Sequence, residues 1–333
     1  MQIVRYSGKG LLLNINTTVT FFSELSSLYS SGIPLTQSLT MLIKTIKSKE
    51  INTALVNAHA KIESGQKLAE SLYSEGLLNT LHYNLIILGE QTGTLDVILK
   101  NIVKEAEERQ SLYRSIISKL IYPSIMILTS IAIIPLPEAF KENGSYLRSA
   151  IVPMIILLMI VGGAYYIYKN YSEDDGFRRG WDRFIIRIPY IGGIIETLAW
   201  IRFCTAFSIC IGSGLDIINT AELSCKSLGN RALESQTIYI KRAMILGKGL
   251  SAFLAEITSV PSIIIEMAEI GEHSGTLQES MGRAGTYLKD KVTHKLSVLN
   301  VVLPIVISLI IAGFIGYSVI KFYMGYFKML NSY

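Results

Sequence analysis

Only three cysteines occur in the 333 residues, Cys204, Cys210 and Cys225, and they form no Cys-x-x-Cys pair. A disulfide framework or thiolate zinc site has no material here, and small buried packing residues are expected instead. Histidine is as scarce: His59, His82, His273 and His294 show no ligand spacing and are expected to be surface or core residues. No Gly-x-x-x-x-Gly-Lys-Ser/Thr loop is present, and Gly247-Lys248-Gly249 lacks both the upstream glycine and the hydroxyl residue, so nucleotide hydrolysis is not expected. Charge is thin, at 17% Asp, Glu, Lys and Arg, and mean hydropathy is +0.40. That is too apolar for an ordinary soluble protein and points to membrane spans. A net charge of +5 is modest, and no nucleic-acid partner is expected.

The chain repeats one phrase. Gly89-Glu90-Gln91-Thr92-Gly93-Thr94-Leu95 returns 182 residues later as Gly271-Glu272-His273-Ser274-Gly275-Thr276-Leu277. The same offset carries Ser31-Gly32 to Ser213-Gly214, Gly65 to Gly247, Leu72 to Leu254 and Phe21 to Phe203. A register held over this distance means an internal duplication, which sets the architecture before any chemistry is read.

After a short arm, residues 1–16, whose only apolar run is too brief for a signal-peptide core, the first copy occupies residues 17–117. Phe21, Phe22, Leu25 and Leu28 line one helix face, and Gly32 stands where a C′ glycine ends a helix. The next helix opens at Pro34, suited to a first turn, where the second copy has Asp216, suited to the positive end of the helix dipole. Another helix, from about Ile51 to Glu63, stops at Gly65. Within the repeated phrase, Gly89 and Gly93 mark a turn with Thr94 as the following N-cap, and Gly271, Gly275 and Thr276 do the same. Thr276 with Glu279 has the form of a capping box. The alternative, one helix running through both glycines, carries about 1 kcal/mol per interior glycine. Glu90 and Glu272 are candidate partner contacts, or glutamates on solvated helix ends.

The helix after the phrase is amphipathic, with Leu95, Ile98, Leu99, Ile102, Val103 and Ala106 on one face and Glu105, Glu107, Glu108 and Arg109 largely outside it. It runs into a first span at 118–137, entered near Pro123. A loop at 138–149 leads to a second span at 150–168, a basic segment at 169–193, the second copy at 194–297, a third span at 298–320 entered near Pro304, and a tail at 321–333. Asp96, Asp174, Asp175, Asp182, Asp216 and Asp290 all lie outside the spans, which hold no ionisable group except Lys119 and Lys321 at their borders. Transport and intramembrane catalysis, the alternative function, both lose ground on this count. In the basic segment, Arg178, Arg179, Arg183 and Arg187 flank an apolar face of Trp181, Phe184, Ile185 and Ile188. A helix held at the membrane surface and a contact for a protein or anionic lipid are both open readings. Fourteen lysines and arginines near the spans lie on the side of the two copies, against Lys141, Arg148, Lys321 and Lys328 on the other. This bias predicts cytoplasmic copies and a C-terminus across the membrane.

The duplicated Gly-Glu-x-(Ser/Thr)-Gly-x-Leu phrase, the Ser-Gly turns at 31–35 and 213–217, Tyr122-Pro123 and Ile188-Pro189-Tyr190-Ile191-Gly192 together resemble the type II secretion system F family, over nearly the whole chain. The resemblance implies an all-α integral membrane protein of the bacterial inner membrane, with two homologous cytoplasmic six-helix bundles and three transmembrane helices. It also implies a homo-oligomer acting as a non-enzymatic platform between a cytoplasmic ATPase, pilin or pseudopilin subunits and other machine components; no cofactor is expected, and no metal ligand set is carried over from the family. The short arm is similar to that of the type IVb pilus systems.

Overall fold

The computed structural model describes residues 13–46, 48–133, 175–188 and 191–330, with Ile155, Met159, Gly162, Gly163 and Tyr166 between them. The expected arm to residue 12, the 138–149 loop and nearly all of the 150–168 span lie outside the described residues. All regular structure among those described is helical.

Helix α1 (Ile15–Ser30) begins two residues before its predicted start, because the Asn14 side chain accepts hydrogen bonds from the N–H groups of Asn16 and Thr17 at 2.8 and 3.2 Å. That capping satisfies donors otherwise orphaned at a helix start. The helix buries Phe21, Phe22 and Leu25 completely and ends at Gly32, whose φ of +82° suits glycine alone at little strain. Then follow α2 (Leu35–Thr45), α3 (Lys49–Glu63), α4 (Leu68–Ser74), α5 (Thr80–Thr92) and α6 (Leu95–Ile133). Sequential neighbours pack on each other from α1 to α5. Pro34 sits one place before the first turn, as the N-cap of α2, without a side-chain bond.

After α7 (Asp175–Arg187) the second copy starts with α8 (Ile191–Gly212), three residues ahead of the expected boundary. It continues with α9 (Ile217–Lys226), α10 (Arg231–Glu234), α11 (Ile240–Ile245), α12 (Leu250–Leu254), α13 (Ser262–Ser274) and α14 (Leu277–Leu330). Asp216 caps α9 through its side chain, accepting from the Asn219 N–H at 3.0 Å, and that backbone hydrogen bond holds its carboxyl below the usual range. The counterpart of α3 is broken into α10 and α11. Ser235 Oγ donates to the Ala232 carbonyl at 2.7 Å and Thr237 Oγ1 to that of Glu234 at 3.0 Å, where the first copy carries Thr53-Ala54-Leu55 in an unbroken helix. Hydroxyls that bond backward compete with the helical ladder.

Two helices are long and apolar enough to cross a membrane, and burial separates them. Half of the apolar window in α8 is buried inside the protein, where Trp200, Phe203, Phe207 and Cys210 are inaccessible to solvent. That is a core helix, its bulkiest side chains covered by the protein. In α14 none of the window within Leu277–Tyr317 is buried. Pro123 lies inside α6 and Pro304 inside α14, with helix on either side of each.

The chain forms two compact units, Met1–Tyr113 with Asp175–Val292, and Arg114–Asp174 with Thr293–Tyr333. Both copies belong to the first. They share apolar contacts: Cys210 and Leu223 of the second copy join the core built from Phe21, Leu39, Leu55, Leu72 and Leu99 of the first. Burial in that core raises the Cys210 thiol to about 12, so it stays a neutral packing group.

Candidate functional site: a repeated joint and a buried charge network

The two glycines and the glutamate of the repeated phrase have separate structural uses in each copy. Gly93 and Gly275 both have φ of +71° and end α5 and α13 in the left-handed conformation. The N–H groups of Thr94 and Thr276 bond back to the carbonyls of Gly89 and Gly271 at 3.0 and 3.1 Å, which closes each helix. Gly89 and Gly271, expected at turns, lie inside α5 and α13 instead. Their role is close approach. A Cβ on Gly89 would meet Ile98 Cγ1 at 3.0 Å and Leu95 Cα at 3.1 Å, and one on Gly271 would meet Leu277 Cα at 2.9 Å.

Glu90 and Glu272 turn inward, and their carboxylates cap a third helix. Glu90 accepts from the N–H groups of Leu68 at 2.7 Å and Ala69 at 3.4 Å, at the start of α4. Glu272 accepts from Leu250 N–H, from Ser251 N–H at 3.3 Å and from Ser251 Oγ, at the start of α12. Neither α4 nor α12 has a side-chain cap from its own N-cap residue, Lys67 or Gly249. A carboxylate there answers both the orphan donors and the positive end of the helix. Both carboxylates are thus engaged within the protein. Thr94 and Thr276 do not cap through their hydroxyls: these bond to Thr92 Oγ1 at 2.7 Å and Ser274 Oγ at 2.6 Å. The expected capping box is not formed, since Glu279 pairs with Arg283 at 3.3 Å.

The phrase therefore fastens three helix ends together in each copy, including the start of α6 and of α14. Those two helices are also tied to each other. Lys289 Nζ on α14 lies 2.6 Å from Glu108 Oε2 on α6 within the first unit. In the second unit, Lys119 Nζ on α6 donates to the Thr293 carbonyl and to Ser297 Oγ on α14, both at 2.7 Å.

One buried charge network escaped the sequence reading. Glu105, placed outside the apolar face of α6, is 8% exposed, and His82 is 2% exposed. His82 Nε2 and Glu105 Oε2 are 3.1 Å apart, and Arg109 Nε approaches Glu105 Oε1 at 3.7 Å. The His82 ring also meets Phe22 edge-on at 5.0 Å between centroids. Burial alone would raise the Glu105 carboxyl, but the charge of Arg109, the hydrogen bond and charge of His82, and the charge of Lys289 outweigh it and hold the group at about 2. A signal was available: Glu105 continues the steps from Ile98 to Ile102 and so falls on the buried face. The second copy has Ile264, Tyr287 and Lys291 at the corresponding positions, so the network belongs to the first copy alone.

Among the other candidates, Gly65, Gly214 and Gly247 all have positive φ, of +92°, +89° and +85°. Arg183 and Arg187 are exposed on α7, while the side chains of Arg178 and Arg179 lie outside the described residues. Among the described residues no group of three or more His, Cys, Asp or Glu is arranged to hold a metal ion.

Comparison with known proteins gives a consistent picture. The model of the family described as type II secretion system (T2SS), protein F, matches residues 21–140 and 203–325. The two matches begin 182 residues apart, the offset of the internal repeat. The chain is 24% identical over 337 residues to the type IV pilus assembly protein PilC of Myxococcus xanthus, covering 94% of this chain and 80% of the relative. It is 25% identical over 334 residues to the type II secretion system protein F of Vibrio cholerae, covering 92% and 81%. With the type IV pilus assembly protein PilC of Pseudomonas aeruginosa the identity is 22% over 334 residues, covering 93% and 89%.

Proposed function

The chain belongs to the type II secretion system protein F family, and on that premise we propose that it is the membrane platform of a type IV pilus or type II secretion machine. In this reading it is a scaffold without catalysis of its own. It sits in the bacterial inner membrane and couples a cytoplasmic assembly ATPase to the insertion or removal of pilin or pseudopilin, as a homo-oligomer among other machine components. The observation that carries the proposal is the family match over both copies, each ending in a helix that runs unbroken from the repeated joint into an apolar segment, α6 and α14. The lysine and arginine bias supports placing both copies in the cytoplasm and the C-terminus across the membrane.

Deleting the gene tests this. Pilus assembly, or secretion where the machine is a secretion system, should be lost while pilin synthesis and processing continue. Normal piliation and normal secretion in the deletion strain would refute the platform role.

A further inference from the structure

Helix α7 packs on α8 and α10, and its Asp182 accepts a hydrogen bond from the Arg231 N–H at 2.8 Å. Between α7, α8 and the end of α10 lies a cleft of about 200 Å³, lined by Arg183, Arg187, Glu196, Ser235 and Gln236 among others. This is room for several waters at ~30 Å³ each but less than the ~300–1,000 Å³ typical of pockets for larger ligands. Arg183 and Arg187 are one helical turn apart, and neither has an acidic or hydrogen-bonding partner among the described residues. The one carboxylate lining the cleft, Glu196, has an interaction partner of its own. Two guanidinium forks therefore open onto a small cavity, the geometry that suits a phosphate diester.

The same helix carries an aromatic row, half-buried at Phe177 and Trp181 and exposed at Phe184. Phe177, Trp181 and Phe184 follow one another with ring centroids 6.1 and 6.2 Å apart, and Phe184 is 61% exposed. Apolar rings flanked by arginines form the pattern of a helix lying in a membrane interface. Chain connectivity limits where α7 can sit: Asp175 is seven residues past the end of the 150–168 apolar run, a reach of about 25 Å even when fully extended.

We propose that the α7–α10 cleft is a headgroup site for an anionic phospholipid, its phosphodiester held by Arg183 and Arg187 while Trp181 and Phe184 enter the acyl boundary. The proposal rests on residues 150–168 crossing the bilayer. Its test uses tryptophan emission, because the chain has only Trp181 and Trp200, and Trp200 is fully buried in α8 and serves as an unquenched reference. The full chain is placed in phosphatidylcholine nanodiscs doped with dibrominated phosphatidylglycerol or dibrominated phosphatidylcholine. Trp181 should be quenched at a far lower fraction of the anionic lipid. The R183Q/R187Q variant should weaken that preference about thirtyfold, at the value usual for two basic residues at an anionic surface, while R183K/R187K, which keeps both charges but loses the forks, should keep only part of it; full retention would leave a charged surface and overturn the headgroup site. Equal quenching by both lipids would leave only a surface helix and overturn the headgroup site. Absence of quenching by either would mean that protein covers the aromatic face, and would overturn it too. Saturable uptake of inorganic phosphate in undoped discs, together with loss of phosphatidylglycerol quenching when phosphate is added to doped ones, would assign the cleft to a soluble anion instead. Failure of the wild-type chain to enter discs would fault the membrane reading itself, an outcome distinct from the other three.

Discussion

Substituting Glu105 by Gln removes one negative charge from a buried network without changing its volume. In the folded chain the carboxyl sits at about 2, against an ordinary value of 4.5. At about 1.4 kcal/mol for each tenfold change in proton affinity, the ionised group contributes about 3 kcal/mol. This is in line with the ~3–5 kcal/mol cost of breaking a buried ion pair on one side, and the partly exposed Arg109 side chain argues for the lower end. The sign is that of a depressed acid. The contribution is complete above about pH 4.5 and is lost as pH falls towards 2. For a unit of this size the variant should melt about 6–12 °C lower at neutral pH, read by scanning fluorimetry of the detergent-solubilised chain. The gap to wild type should narrow below pH 4, because acid removes from the wild type what the variant already lacks. E105M/R109M should recover much of the loss, since it leaves no charge stranded against His82. A variant as stable as wild type at pH 7, or a gap as wide at pH 3 as at pH 7, would refute the reasoning.

The joint gives two further expectations. Gly93→Val and Gly275→Val force a β-branched residue to φ +71° and should each cost about 1–3 kcal/mol, seen as a lower melting temperature, with Gly→Asn milder; unchanged melting would show that the turn tolerates any residue. Glu90→Ala and Glu272→Ala strip the caps from α4 and α12 and should each cost about 1–2 kcal/mol. Hydrogen exchange should rise first at Leu68 and Leu250, and uniform protection would argue against capping.

Much of this architecture was legible because the duplication reads the same residue twice. Gly32 with Gly214, Gly65 with Gly247 and Gly93 with Gly275 stand at helix ends in both copies, where only a positive φ explains a shared glycine. Gly89 and Gly271 looked the same in sequence yet serve a helix crossing, because one dimension cannot distinguish a glycine needed for its φ from one needed for its missing Cβ. The glutamates were harder still. Glu90 reaches a helix start 22 residues back, and no local pattern announces a cap supplied from another helix. The break between α10 and α11 falls where Thr237, bonded to the Glu234 carbonyl, stands in place of Leu55, while Thr53 bonds backward in an unbroken helix, a balance that propensity alone leaves undecided.

What the two copies do not share is as informative as what they do. Both keep the inward glutamate, the crossing glycine and the left-handed glycine that fix where α6 and α14 begin. The first copy alone adds the His82–Glu105–Arg109 network beside that joint. The second alone breaks its third helix and leaves Ile238, Tyr239 and Leu246 exposed at 70%, 69% and 78%, where the first has Val56, Asn57 and Ser64. A duplicated fold under stability constraints alone would have no reason to place three large apolar side chains in solvent in one copy and largely polar ones in the other. The joints are therefore the part that both copies keep, and the surfaces around them are where the two copies differ.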